Sequence, residues 1–326
     1  MLVSLICHAQ PKRFSFSRPK MGSPFTIIFY ATDSTEAKAV VEGCFGLVDS
    51  LVAIFSDYAD SSELNRLCAR AGSNGRPFAC SPALFDILLQ SKYAWEKSGG
   101  QFDITLGPVT RLWRRARKEK QFPSPALVQE KLARTGFAKM VLNPDAHTVR
   151  LLQTGMQLDL GGIAQGYIAQ QTMQYLQYRH IHNALVDASG DIVCSGMPPG
   201  TGGWTVAVNV PESKEELLAR HLLLSNKAVT TSGDVYQYME HGGKRYSHII
   251  NPATGYGLTS GRNVTVIADN GTLADWLTKA CSILSIARAK QLANSMKAEV
   301  LIAEIKKGKL IFHMSDGFKS YWPVVK

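Results

Sequence analysis

Strand-like runs in this chain come at irregular intervals, separated now by a tight turn and now by a long helical stretch, and this irregularity constrains the fold more than any other feature. A doubly wound parallel sheet needs strands that alternate regularly with crossover helices, whereas here hairpin-like pairs predominate. Phe25 to Ala31 is β-branched and aromatic and reads as a strand. Ser34 to Phe55 follows with apolar residues at helical spacing after a Ser/Thr start, the pattern of a long amphipathic helix. Ser56 to Asn65 is turn-rich. A second helix begins where Ser81 can cap and Pro82 can take the first helical position, and it runs to about Ser98. Gly99-Gly100 opens a loop bearing Phe102-Asp103, then come a basic helix and a connection rich in proline at Pro123 and Pro125.

Short strands are expected near Lys139 to Leu142, Thr148 to Leu152 and Met156 to Leu160, and a helix from about Ile163. Ala184 to Ser195 reads as strand, tight turn, strand; Trp204 to Val210 and Asn263 to Ala268 alternate as strands should. Two helices, Leu273 to Leu284 and Ile286 to Met296, precede closing strands near Val300 to Ile305 and Lys309 to Met314. The expected class is α+β, with mixed, mainly antiparallel sheets and packed helices. No repeat at a period of 20 to 50 residues is visible.

Four segments concentrate glycine, hydroxyl and carboxylate residues: Leu158 to Gly166, Asp187 to Asp191, Thr230 to Asp234 and Tyr246 to Gly255. Such segments bring backbone N–H groups close to an oligophosphate, because glycine permits near approach and a following helix offers its positive end. Each alone is weak, since turns use the same residues. The first says most, because Gly161-Gly162 directly precedes a helix. Neither a GxxxxGK[ST] loop nor a Rossmann glycine pattern occurs, which disfavours a kinase or a nicotinamide dehydrogenase.

Taken in order, the motifs resemble the ApbE family of flavin transferases. The amino-terminal half carries Met21-Gly22-Ser23 before a strand, Tyr58 ahead of Ser62-Glu63-Leu64-Asn65, and Phe102-Asp103-Ile-Thr105-Leu-Gly107-Pro108 with Trp113. The rest carries Leu158-Asp159-Leu160-Gly161-Gly162-Ile163-Ala164, Ser189-Gly190-Asp191, Thr231-Ser232-Gly233-Asp234, Tyr246-Ser247-His248-Ile249 and Ala274-Asp275. The resemblance implies an ApbE-like (T-fold-like) domain of two intimately packed halves over residues 21–326. It also implies a Mg²⁺-dependent enzyme that attaches the FMN half of FAD through a phosphoester to a Ser or Thr of a membrane-associated electron-transfer flavoprotein, releasing AMP. Some members instead hydrolyse FAD to FMN and AMP, and a protein that only binds FAD is a third outcome.

Carried over residue by residue, the resemblance places Met21, Tyr58, Gln101, Phe102, Asp103, Asp159, Gln165 and Ile250 on FAD, with Tyr58 against the isoalloxazine. His248 becomes the general base, a role suited to a neutral imidazole. The Mg²⁺ ligands map to the carbonyl of Gly162, to Asp275 and to Thr278. Blander readings stand beside these: Tyr58 as a core tyrosine with a satisfied hydroxyl, Phe102 as packing, Asp103 as a helix cap, Asp159 as a turn former, His248 as a structural histidine. Three positions depart from the family pattern. Gln165 stands where a lysine contacts FAD, Asn251 replaces an aspartate, and Lys279 stands where a threonine usually follows the helix aspartate. Asp275 and Lys279 are four apart, so they form either a helix-surface salt bridge or an inward ammonium sharing the cation's role.

A net charge of +10 favours anionic ligands, nucleic acid or an acidic partner, and much of it lies between Arg111 and Lys120. That run reads as a solvated helix face; no nucleic-acid-binding signature accompanies it, and none is expected as a partner. The six cysteines are scattered without a CxxC pair, so they read as buried thiols with room for one disulfide and not as a zinc site. Residues 1–20 read as a signal remnant, consistent with a periplasmic or exported protein, or as a disordered lead. No stretch approaches the roughly 20 apolar residues of a membrane span.

Overall fold

The computed structural model describes residues 10–72, 76–208, 221–233, 237–306 and 309–323. In chain order the amino-terminal part forms β1 (Lys12–Lys20), β2 (Ser23–Ala31), α1 (Ser34–Phe55), α2 (Glu63–Ala69), β3 (Phe78–Ala79), α3 (Pro82–Lys97), α4 (Gly107–Glu119), α5 (Pro125–Leu132), β4 (Met140–Asn143) and β5 (Thr148–Leu151). Next come α6 (Ala164–Tyr178), β6 (Ala184–Ala188), β7 (Asp191–Ser195), β8 (Trp204–Val206), β9 (Leu222–Leu224), β10 (Ala228–Ser232), β11 (Tyr238–His241) and β12 (Lys244–Ser247). The chain ends with β13 (Arg262–Ala268), α7 (Gly271–Ile283), α8 (Ile286–Ser295), β14 (Glu299–Lys306) and β15 (Lys309–Met314).

Eight strands make one sheet in the order β1-β2-β6-β7-β10-β13-β14-β15. Every neighbouring pair in it is antiparallel, as the hairpin-like pattern requires. The central strands are buried on both faces, and side chains alternate between two cores. On β14, Val300 and Ile302 join the larger core under the helices, while Leu301 between them joins a second core with Trp204, Leu222, Leu224 and Phe318. Helices α1, α6 and α7 cover the first face, and the β8–β9 hairpin lies over the second.

Helix α1 shows why sequence spacing sets this arrangement. Asp33 caps it by accepting from the backbone N–H groups of Thr35 and Glu36, and Ala37, Val40, Val41, Cys44, Phe45, Val48, Leu51 and Phe55 form its buried stripe. Burying a large aliphatic or aromatic side chain contributes about 1.5–3 kcal/mol, so such a stripe outweighs the helix's own propensity.

Several elements differ from the sequence reading. Residues 12–20, inside the span read as a signal remnant or disordered lead, form edge strand β1, because Phe14 and Phe16 pack with Phe29 while the polar residues between them face outward. Met156 to Leu160 is not a strand. A single bridge between Leu106 and Gln157 replaces it, and the Asp159 N–H bonds the Ile104 carbonyl. The turn-rich flank contains α2, capped by Ser62, and the proline-rich connection contains α5, capped by Ser124 with Pro125 in its first turn. Strand β8 stops at Val206; Val210 lies outside the described residues, as does Asp234. Cys44, Cys68, Cys80, Cys194 and Cys281 are all free, so no disulfide exists among the described residues.

Candidate active site

A cleft of about 1100 Å³ opens where the ends of β2, β7, β10 and α6 meet helix α4 and the loop after β12. It is larger than the roughly 300–1,000 Å³ typical of small-molecule sites and suits a dinucleotide better than a small metabolite. Met21, Tyr58, Gln101, Phe102, Asp103, Asp159, Gly162, Gln165, His248 and Ile250, ten residues singled out from sequence, all line it. Asp275 and Thr278 do not; they lie behind its wall.

Met21 and Gly22 form the two-residue turn joining β1 to β2, both with positive φ (53° and 81°), the geometry that favours a tight hairpin. The Ser189-Gly190 turn between β6 and β7 is held by the Gly190 N–H donating to Asp187 (2.7 Å). Asp159 is both turn former and wall. One of its oxygens accepts the Gly161 N–H (2.8 Å), the other accepts from Arg114 (2.7 Å). This turn delivers the chain into α6, whose first residue follows Ile163 with no side-chain cap, so its positive end faces the cleft.

Asp103 caps no helix. It accepts from the backbone N–H (2.7 Å) and hydroxyl (2.6 Å) of Thr105, and burial pushes its carboxyl up. Helix α4 begins after Leu106 with no side-chain cap. Phe102 is buried, packs with Trp276 and touches the space beside Gly162. Tyr58 is 79% exposed at the cleft's mouth, which removes the reading as a core tyrosine; its ring lies 4.6 Å from the Arg114 guanidinium.

The basic helix α4 is not a solvated face throughout. Trp113 turns into an aromatic cluster with Phe122, Tyr246 and Tyr256, and its indole N–H donates to the Gly255 carbonyl (2.8 Å). Arg114 pairs with Asp57 and Asp159, and Arg111 reaches the Asp57 carbonyl and Asn65. Arg117 lines the cleft with no acidic partner among the described residues, and burial followed by the neighbouring Arg114 charge lowers its pKa. Arg111, Arg114 and Arg117 recur every three residues, a one-face spacing that the sequence shows but that charge alone does not single out. Asn251 is a turn former: its side-chain oxygen accepts the Ala253 N–H (2.9 Å), a bond that aspartate or asparagine makes equally well.

His248 sits just after β12, whose Tyr246 packs in the Trp113 cluster, and its backbone N–H donates to the Gln237 carbonyl (3.0 Å). Its Nδ1 lies 3.3 Å from the Gln237 carbonyl, which can only accept, so the neutral ring carries its proton on Nδ1 and leaves Nε2 open. Burial, then the Lys279 ammonium, push its pKa down to about 4.

Beneath this wall lies the group of residues for which the resemblance implies a metal. The Lys279 side chain runs past Gly162 and turns inward. Its Nζ donates to Ser232 (2.5 Å), Asp275 (3.0 Å) and Thr278 (3.3 Å). The other Asp275 oxygen accepts the Gly166 N–H (3.0 Å), and the Thr278 hydroxyl donates to the Asp275 carbonyl (2.7 Å) while sharing a 2.8 Å bond with Ser232. Asp275 is 1% exposed. Buried Asp191 hydrogen-bonds Thr230, and its carboxyl is pushed well above the ordinary range by burial and then by Asp275. Burial works to lower the Lys279 pKa, but Asp275 and then Asp191 outweigh it, and the ammonium is retained. The donor set does not fit Mg²⁺, because an ammonium already bonds Asp275 and Thr278, two of the three expected ligands with the Gly162 carbonyl, and a divalent ion keeps several waters.

A model of the ApbE family matches residues 21–302. The chain is 31% identical over 306 residues to the FAD:protein FMN transferase of Treponema pallidum, covering 87% of this chain and 84% of that protein. It is 29% identical over 267 residues to one from Klebsiella pneumoniae, covering 81% of each. A mutant of the flavin transferase ApbE from Vibrio cholerae has a similar structure, with a TM-score of 0.84, 25% identity, and coverage of 95% of this chain and 99% of that one.

Proposed function

The chain belongs to the ApbE family, and from that premise we propose that it is an FAD:protein FMN transferase. The observation that carries the assignment is the convergence on one dinucleotide-sized cleft of the α6 N-terminus, the cations of Arg114, Arg117 and Lys279, and a neutral imidazole. Cations and the helix end suit a pyrophosphate, and the imidazole suits a hydroxyl nucleophile.

FAD is the substrate. Exposed Tyr58 offers an aromatic face to the isoalloxazine, while Met21, Gln101, Phe102, Asp103, Asp159, Gln165 and Ile250 form the walls against which the nucleotide packs. The acceptor hydroxyl gives its proton to Nε2 of His248 as its oxygen attacks the phosphorus of the FMN phosphate. One P–O bond forms to the acceptor, and the bond to the bridging oxygen breaks. AMP leaves with that oxygen, and the proton departs from the imidazole to solvent. Negative charge on the pyrophosphate offsets the Lys279 effect and moves the imidazole's pKa back toward neutrality, where a general base works best. With water in place of the hydroxyl, the same step yields FMN and AMP.

The acceptor we propose is a Ser or Thr of a flavoprotein subunit of a membrane electron-transfer complex, met on the periplasmic side; the family likeness supports the acceptor chemistry. Among the described residues no helix is long and apolar enough to cross a membrane. Mg²⁺ dependence does not follow from this donor set, and no step above uses a metal. Incubation with FAD and an acceptor domain should give an acceptor heavier by one FMN-phosphoryl group, with one AMP per label. AMP without labelled acceptor would select hydrolysis instead, and FAD binding without either product would select storage.

A further inference from the structure

We infer that Lys279 is the resident cation of this site: its ammonium supplies the positive charge at the pyrophosphate that a divalent metal would otherwise bring, and FAD binds and reacts without one. The inference rests on the reading of the cleft as an FAD site and concerns how its charge is provided.

Three observations converge. The Nζ of Lys279 bonds Ser232, Asp275 and Thr278 at once, so the oxygens that could enclose a small cation already enclose one. Its stem is fixed in that course, because the Cγ lies 3.2 Å from where a Cβ on Gly162 would sit. It also lines the cleft and keeps 20% of its side chain exposed, so the charge is presented to the ligand and not sealed away. A second cation among these oxygens would face an ammonium at contact distance, and both Asp275 oxygens are already bonded, one to that ammonium and one to the Gly166 N–H. An ammonium is a compact point charge able to hold phosphate oxygens. The longest of its three contacts, to Thr278, is the one a phosphate oxygen would replace. The lysine supplies one charge where a divalent ion supplies two, and the unpaired guanidinium of Arg117 in the same cleft offsets the difference.

The test measures FAD affinity of the full chain by flavin fluorescence in EDTA and in Mg²⁺, and Mn²⁺ uptake by electron paramagnetic resonance with FAD present. Affinities within twofold of each other and no stoichiometric Mn²⁺ are expected. Lys279→Thr should bind FAD at least tenfold more weakly in EDTA, recover with Mg²⁺ and take up one Mn²⁺. A tenfold loss of affinity on chelating the unmodified chain, or one Mn²⁺ bound per FAD, overturns the inference, and this comparison needs no variant to fold. So does a folded Lys279→Thr that binds FAD in EDTA as tightly as its parent. Acceptor labelling is read in the same samples: FAD binding without labelling or AMP in both EDTA and Mg²⁺ refutes the transferase and leaves Lys279 its role in binding, whereas labelling that appears only with Mg²⁺ overturns the inference. Absence of FAD binding under every condition refutes both.

Discussion

Replacing Arg114 by methionine keeps the aliphatic stem and removes the guanidinium that joins Asp57, Asp159 and Tyr58. The side chains of Arg114, Asp57 and Asp159 are only 25%, 8% and 12% exposed, so the substitution strands two carboxylates in a poorly hydrated wall. Removing one partner of a buried ion pair costs about 3–5 kcal/mol, and the partial exposure here places the loss near 3. With an unfolding entropy of about 2.1 cal/mol/K per residue, 326 residues give about 0.7 kcal/mol/K, and the expected drop in Tm is about 4 °C. The pH dependence has a definite sign. Burial and the charge of Asp159 already raise the Asp57 pKa above 3.8, and loss of Arg114 raises it further. A carboxyl raised in the folded state binds more protons there than when unfolded, so the deficit is full at neutral pH and shrinks as pH falls through the raised value. Calorimetry and urea unfolding at pH 7 and pH 4.5 read this directly, and Asp57→Asn in the same background should restore most of the loss. A deficit below 1 kcal/mol, or one equal at both pH values, would show that Arg114 is only a rim charge and refute the reasoning.

Substituting His248→Ala should lower the transfer rate by about 10²- to 10⁴-fold while FAD affinity stays within a few fold, measured by single-turnover acceptor labelling. Because the ring stays neutral down to about pH 4, kcat/KM for FAD should not fall between pH 8 and pH 5 on its account; an acid limb centred at 6.5 would contradict that. Tyr58→Ala should leave Tm unchanged and weaken FAD binding roughly 2- to 12-fold, the equivalent of about 0.5–1.5 kcal/mol of aromatic stacking; an unchanged affinity would move the flavin elsewhere. For Gly166→Ala, the new methyl would lie 2.2 Å from the Gly271 carbonyl oxygen and 2.6 Å from the Asp275 Cβ, so a loss of at least 1–3 kcal/mol is expected by thermal unfolding, and a wild-type Tm would show that α6 and α7 can part.

Much of the fold was legible because its signals are local. The stripe of α1, the Ser81-Pro82 start of α3 and the alternation in β13 each encode their element within a few residues. The misread stretches depend on distant partners. β1 exists because β2 offers its edge, and Met156 to Leu160 stays out of a sheet because its N–H groups scatter to the Gln153 carbonyl, the Cys68 sulfur and the Ile104 carbonyl. The same division runs through the site. Glycine turns and the histidine segment are written in short motifs, whereas Arg114 becomes a structural and ligand-facing residue only once Asp57 and Asp159 arrive from either side. The course of Lys279 could not be chosen from its i, i+4 spacing to Asp275, since that spacing serves a surface pair equally. Ser232, on β10 and far away in sequence, makes the difference.

Asp275 has two jobs that an alanine substitution cannot separate. One oxygen latches the backbone at the start of α6, and the other steadies the ammonium four residues along its own helix. An alanine there would unfasten the glycine loop from its neighbour and leave the lysine without an anchor in a single stroke. Inactivity of such a mutant would therefore say nothing about metal ions; an asparagine, which preserves the latch and drops the charge, is the substitution that can be interpreted.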